Sequence, residues 1–295
     1  IELKKWVMAT LDLSESLEEL KALNIPDKAG LIDEITAKLG TIDQSTEKEK
    51  GDIAFSEGKW SKAVEHYRKA LTIANQSMTF DQDSVYELKQ LVVKGDLYAI
   101  ISRGKSAFRQ ASWDEAIASY DKAITLLDDN RELLKQTNTE ENRKKLARIM
   151  LQASVIRDNQ DAARHLKEKE FNEAVAKLET ILGSISASEF KNEAEFESIR
   201  QEAEQSIAQA EADKLMSDKI AYLEDNFEEL FTRHYSGSPP ESLVDRTVVF
   251  EKKMGSRLLF RLQCVEVGRG RPLHLIMKYT HDLNTGEWSF YSDSQ

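Results

Sequence analysis

Residues 50–75 read KGDIAFSEGKWSKAVEHYRKALTIAN, and the rest of the chain is organised around them. Their spacing predicts two helices with a tight turn at Glu57-Gly58-Lys59. Small residues, Gly51, Ala54, Ala63 and Ala70, stand where two helices must approach closely. Bulky ones, Phe55, Trp60, Val64, Tyr67, Leu71 and Ile73, stand between them. The same order returns at Gly104, Ala107, Phe108, Trp113, Ala116, Ile117, Tyr120, Ala123, Ile124 and Leu126. A third, fainter copy runs through Ala162, Leu166, Phe171, Ala174, Val175, Leu178, Ile181 and Leu182.

The order small, aromatic, turn, Ala, aromatic, Ala resembles the tetratricopeptide repeat family. That family repeats about every 34 residues, whereas Gly51, Gly104 and Ala162 lie 53 and 58 residues apart. The extra residues do not read as loops. Residues 83–110 carry Val85, Leu88, Leu91, Val92, Leu97, Ile100 and Ile101 with no proline, and predict one long helix. Residues 140–170 read the same way through Leu146, Ile149, Met150, Ala153 and Ile156. The polar gaps at 75–82 and 128–139 are the connections. A mostly α fold is expected: a helical array with overlong first helices, then a small α+β module holding a four-stranded antiparallel meander. The expected boundaries are 1–42 for N-terminal capping helices, 43–214 for the repeats and 215–295 for the C-terminal module.

Around this core the reading is plainer. Leu3, Trp6, Val7 and Leu11 make an apolar stripe, and Ser16-Leu17-Glu18-Glu19 has the form of a capping box opening a second short helix. Pro26-Asp27 predicts a new helix start, Leu31, Ile32, Ile35 and Leu39 its buried face, and Gly40 its stop. Beyond the repeats, Phe196, Ile199, Ala203, Ile207, Ala210, Met216, Ile220, Leu223, Phe227 and Leu230 continue a helical stripe. It either closes the array or forms a seam for a homodimer. Residues 235–240, YSGSPP, break the helix. After them the period becomes two. Val248 and Phe250 share one face, as do Leu258, Phe260, Leu262 and Cys264, then Leu273, Leu275, Met277 and Tyr279, then Trp288 and Phe290. Met254-Gly255-Ser256, Gly268–Arg271 and Asp282–Gly286 are the turns. Such a sheet needs a cover on its apolar face, and Ile220, Leu223, Phe227 and Phe231 on the preceding helix offer one.

The net charge of −11 argues against nonspecific binding to nucleic acid or anionic lipid, which need a cationic surface. One cysteine, Cys264, rules out an internal disulfide and a cysteine-rich zinc site. No run approaches the roughly 18 apolar residues of a membrane span. The chain opens on Ile1, so a piece excised from a longer or membrane-anchored protein is expected, and no compartment is assigned.

Chemistry is sparse. Gly268-x-Gly270 sits between strands and lacks the rest of a dinucleotide fingerprint, so no cofactor is expected. The histidines, His66, His165, His234, His274 and His281, show no metal spacing. A Cys264–His274 dyad on adjoining strands would be split by the two-residue alternation. Neither catalytic nor metal residues are expected, and the chain reads as a non-enzymatic scaffold. The alternative is a ligand-binding or hydrolytic C-terminal module with the helices as spacer.

The resemblance implies where a protein or peptide partner would bind. Family ligands lie on a concave wall of first helices. Carried onto this chain, the wall offers Lys48, Asp52 and Phe55 from the first repeat. It offers Tyr98, Ile101, Lys105, Phe108 and Arg109 from the second, and Asn159, Leu166 and Lys167 from the third. Aromatic and cationic residues together suit a segment with acidic and apolar side chains. One family variety clamps a terminal carboxylate, but this chain has Asp52 where that clamp has Asn, and Ile101 at another polar position. Trp60, Trp113, Tyr67 and Tyr120 match the positions that lock a helix to its mate.

Overall fold

The computed structural model describes residues 2–23, 28–76, 81–134, 138–226, 243–266 and 273–290. The expected helix start at Pro26-Asp27, the break at 235–240, the hairpin at 268–271 and the covering residues Phe227, Leu230 and Phe231 lie outside the described residues. Among those described, eight helices precede one sheet. They are α1 (Glu2–Ala22), α2 (Lys28–Ser56), α3 (Trp60–Gln76), α4 (Gln82–Arg109), α5 (Trp113–Asp129), α6 (Thr139–Lys167), α7 (Phe171–Ala187) and α8 (Ala194–Asp225). The sheet is an antiparallel meander of β1 (Leu243–Met254), β2 (Arg257–Glu266), β3 (Leu273–Asp282) and β4 (Trp288–Phe290). A helical array followed by a small α+β module is therefore the fold.

The helices come in pairs of unequal length. First helices α2, α4 and α6 have 29, 28 and 29 residues, while second helices α3, α5 and α7 have 17 each. The three turns repeat atom for atom. Lys59, Ser112 and Glu170 each donate an N–H to the carbonyl five residues back, on Ala54, Ala107 and His165, all at 2.9 Å. The residue just before each is left-handed: Gly58 at φ 72°, Ala111 at 55° and Lys169 at 62°. This is the tightening that ends a helix when a left-handed residue closes its last carbonyls. Glycine adopts that conformation without strain, while Ala111 and Lys169 carry a cost.

Packing repeats with the same offsets. Ala63, Ala116 and Ala174 are fully buried, and Tyr67, Tyr120 and Leu178 nearly so. A methyl group built on Gly51 would come 2.5 Å from Cε1 of Tyr67, and one on Gly104 would come 3.0 Å from Cε1 of Tyr120. Glycine is thus required there by close approach of a ring. The third copy holds Ala162 and Leu178, both buried: a larger residue on one helix faces a smaller one on the other, and the summed volume is kept.

By backbone packing the chain gathers into two units, Ile1–Asp161 with Thr180–Arg200, and Ala162–Glu179 with Gln201–Gln295. In the first, the apolar core is continuous from pair to pair. Ala54, Ala63 and Tyr67 pack with Leu91 and Val92 of α4. Ala70 and Ala74 of α3 meet Val85 and Leu88 of α4. Leu97 and Ala107 of α4 meet Ala116, Tyr120, Ala123 and Leu127 of α5 and Leu146 of α6.

In the second unit, Leu258, Phe260, Leu262, Tyr279 and Trp288 fill one sheet face, and Leu223 of α8 covers it with Met216 and Ile220 beside it. The helix-over-sheet arrangement is the one the alternation predicts. In the β2–β3 register Cys264 pairs with Leu275, and His274 with Val265.

Two expectations at the N-terminal end are corrected. Ser16 does not open a helix, because α1 runs unbroken across it and the Ser16 hydroxyl donates to the Asp12 carbonyl at 2.8 Å, one turn back. Gly40 does not stop one either. It sits inside α2, and a side chain there would meet nothing within 4 Å. An interior glycine costs a helix only about 1 kcal/mol, which the flanking turns offset. The expected boundaries at 42/43 and 214/215 consequently fall within α2 and α8.

Candidate functional site

Each residue assigned to partner binding can now be located. Lys48 and Asp52 lie one turn apart on α2, where long side chains four residues apart meet. The Lys48 ammonium reaches Asp52 at 3.5 Å and Glu87 of α4 at 3.3 Å. Partial burial works against its charge, yet Asp52 and Glu87 outweigh this and hold its pKa above the ordinary lysine value. Asp52 also accepts a hydrogen bond from the Tyr67 hydroxyl at 2.8 Å. Burial, and then that carboxylate, push the Tyr67 phenol far above its usual range. This cluster is closed on itself.

The aromatics lie at the turns. Phe55 meets Trp60 edge-on at 4.8 Å, and Phe108 meets Trp113 at 5.2 Å in the same way. Phe108 is therefore half-buried against its own mate helix, which accounts for its position without a ligand. Tyr98 stacks on Trp60 at 4.9 Å and still leaves 46 % of its surface exposed. Arg109 ends α4, exposed, and Asn159 and Lys167 lie exposed on α6.

Three of the assigned residues, Tyr98, Ile101 and Lys105, meet in a cavity of about 310 Å³. It opens between α4 and α6, with Tyr120 and Leu127 of α5 beneath. Its walls include Leu97, Ile101, Leu134, Leu146 and Ile149, and every charged residue lining it is a lysine: Lys94, Lys105 and Lys145. In a chain of net charge −11 that is a local inversion. Lys94, Tyr98, Ile101 and Lys105 fall at i, i+4, i+7 and i+11, so a single α4 stripe presents them. Lys145 also pairs with Glu141 one turn before it, at 2.5 Å.

Sequence reasoning did not include Lys94, Asn142, Lys145 or Tyr120 in the site. The last was placed among packing residues, and it is one; it also floors the cavity. Lys48, Asp52, Phe108, Arg109, Asn159 and Lys167 do not line it.

A larger groove of about 670 Å³ runs between α2 and α3, lined by Asp43, Glu47, Lys50, Glu65, Arg68 and Lys69 among others. Its charges are mixed and most are paired: His66 to Glu47 at 2.9 Å, Lys50 to Glu47 at 2.6 Å and Lys69 to Glu65 at 2.8 Å. A third hollow, of about 410 Å³, separates α7 from α8 and is crossed by a 2.8 Å hydrogen bond from Lys214 to Asn172. Among the described residues one group has metal-like spacing: His165, Glu168 and Glu170 at the α6–α7 turn. There His165 Nδ1 already meets Glu170 at 2.6 Å, and Arg164 lies 3.6 Å from Glu168. Ordinary ion pairing accounts for the group.

In the C-terminal unit, His281 is buried beside Trp288, ring centres 4.9 Å apart. Asp282 turns back on its own loop, accepting the N–H groups of Asn284 and Thr285. Those hydrogen bonds come first in holding its carboxyl below the usual range, while burial opposes them.

No protein-family model matches the chain, and no curated protein matches it. No helix among the described residues is long and apolar enough to cross a membrane.

Proposed function

We infer that the chain is a non-enzymatic scaffold of the tetratricopeptide kind, which holds a segment of a partner protein on its first-helix face. One observation carries this reading: the apolar, lysine-rimmed cavity between α4 and α6, seated on a packed second helix. The site is suited to capture. Its depth admits an apolar side chain, and it lies on rigid helices, so the surface is preorganised and little ordering cost opposes binding. Anchoring by one bulky side chain commonly dominates such interfaces.

The alternative, a reactive or ligand-binding C-terminal module, has less support. The sheet face that would line its pocket is filled by Leu258, Phe260, Leu262 and Tyr279 under Leu223. Self-association through α8 is also less favoured, since Phe196, Ala203, Ala210 and Leu223 along its stripe are already buried.

The test is selection of an unbiased displayed peptide library on the full chain, followed by hydrogen-exchange mapping of the enriched peptides. Protection of α4 and α6 supports the scaffold. Failure to enrich any peptide, or protection confined to the C-terminal sheet, sinks it.

A further inference from the structure

The first and second pairs carry opposite charge at matching positions. Positions 53 residues apart correspond between α2 and α4, and positions 58 apart between α4 and α6, as the buried residues Ala63, Ala116 and Ala174 show for the helices that follow them. With these offsets Lys48 becomes Ile101, Asp52 becomes Lys105 and Glu87 becomes Lys145. In the first pair two carboxylates bracket a lysine, and Asp52 takes the Tyr67 hydroxyl. In the second pair two lysines bracket an isoleucine. The tyrosine corresponding to Tyr67 is Tyr120, only 1 % exposed, and it lines the cavity. No side chain or backbone group among the described residues accepts its hydroxyl hydrogen, because Lys105 stands where the acceptor stood. An unpartnered hydroxyl on a residue that lines the cavity offers a hydrogen bond that a ligand there can complete.

We propose that the α4–α6 cavity binds a peptide carboxylate: an aspartate or glutamate side chain of the partner accepts the Tyr120 hydroxyl and pairs with Lys105 and Lys145, beside an apolar side chain seated on Ile101 and Leu146. The partner supplies to the second pair what Asp52 supplies to the first. This deepens the scaffold reading and rests on it. Lys94 adds a third cation along the same stripe, and no carboxylate residue lines the cavity, so the ligand shares Lys145 with Glu141, which lies outside the lining.

The experiment uses the full chain and an array of acetylated, amidated hexapeptides combining glutamate or aspartate with leucine and phenylalanine, each matched by its glutamine or asparagine counterpart. Blocked ends remove the terminal carboxylate, so only side chains are read. Acidic peptides are expected to bind about tenfold or more tightly than their neutral counterparts, the scale of a charge-assisted hydrogen bond. Tyr120→Phe, which keeps the ring and removes only the hydroxyl, should weaken the acidic peptides several-fold and leave the neutral ones unchanged. Lys105→Asp should abolish acidic binding while the thermal melt stays at or above that of the parent, since it restores the first pair's internal bond. If acidic and neutral peptides bind equally, or if neither variant changes acidic binding, the carboxylate assignment falls and the scaffold stands. If no peptide of either kind binds and the unbiased library also yields none, both fall.

Discussion

The first two helix pairs are built on one plan and finished differently. Both set a tyrosine against a glycine, both turn on a left-handed residue, and both close the turn with an edge-on Phe–Trp pair. On the face between first helices they part. The first pair satisfies its own tyrosine through Asp52 and locks Lys48 between two carboxylates. The second leaves Tyr120 over an apolar cavity rimmed with lysine. Packing positions are held constant because a methyl group matters there, while face positions are free to change sign. The difference separates the positions that fold the repeat from those that set the charge of its face.

The largest effect comes from breaking what the pairs share. Tyr67→Ala and Tyr120→Ala should each cost about 3–5 kcal/mol, the range for emptying a buried aromatic site, measured by denaturant unfolding. Unequal losses well outside that range would show that the two cores are not equivalent. Next comes the close approach. Gly51→Ala should cost about 1–3 kcal/mol through overpacking, and Gly104→Ala less, because its nearest ring atom lies 3.0 Å away and not 2.5 Å. The third pair already holds Ala162 and Leu178 at these positions. The double variant Gly51→Ala/Tyr67→Leu should therefore recover part of the combined loss, with a coupling of about 1 kcal/mol or more in a double-mutant cycle.

A smaller change sharpens the contrast. Tyr67→Phe should cost about 1.5 kcal/mol, because it strips a charged acceptor of its donor. Tyr120→Phe should cost close to nothing, as no bond is lost. Equal losses would erase the distinction. The smallest effect is electrostatic and belongs to the first pair alone. There Glu47 meets His66 and Lys50, and the corresponding residues of the second pair are Ile100, Ser119 and Arg103, so the carboxylate is missing there. Burial raises the Glu47 pKa, but His66 and Lys50 outweigh it and leave the carboxyl lower than in the unfolded chain. Its contribution is then present above the ordinary glutamate range and lost as the pH falls through the folded value. Glu47→Gln should cost about 1 kcal/mol or less at pH 7, and the gap from the parent should close as the pH falls below the ordinary glutamate range.

Much of this was legible in the chain itself, for reasons that differ by element. The pairing of Gly51 with Tyr67 shows because a size rule leaves its mark at fixed spacing. From Gly51 to Ala74, Gly104 to Leu127 and Ala162 to Ile185 that spacing never changes, although the full periods are 53 and 58. The irregularity sits in the connections. The overlong first helices show because nothing in 83–109 breaks an apolar stripe, and the two-residue period fixes which strand residues face α8. Ser16 and Gly40 misled, since a capping box and a C-cap glycine act only where the backbone leaves the helix, and nothing in tertiary packing made it leave. The cavity was half visible. Tyr98 and Lys105 lie on one stripe of α4, but Asn142 and Lys145 reach it from a helix some forty residues on. The available sign was the exchange of Asp52 for Lys105 under an unchanged tyrosine.

The inequality of helix lengths has a further consequence. At 1.5 Å per residue, α4 outruns α5 by eleven residues, 28 against 17, and the surplus is not idle. Val85 and Leu88 finish the floor beneath α3, and from Val93 onward the rod also packs against the core it shares with α5. The α4 helix is thus a splice, like an overlapping plank that belongs to two joints at once. An array assembled this way should not peel from its ends one module at a time. Cutting that plank loosens both neighbours, so heat should melt this part of the molecule as a single collective event.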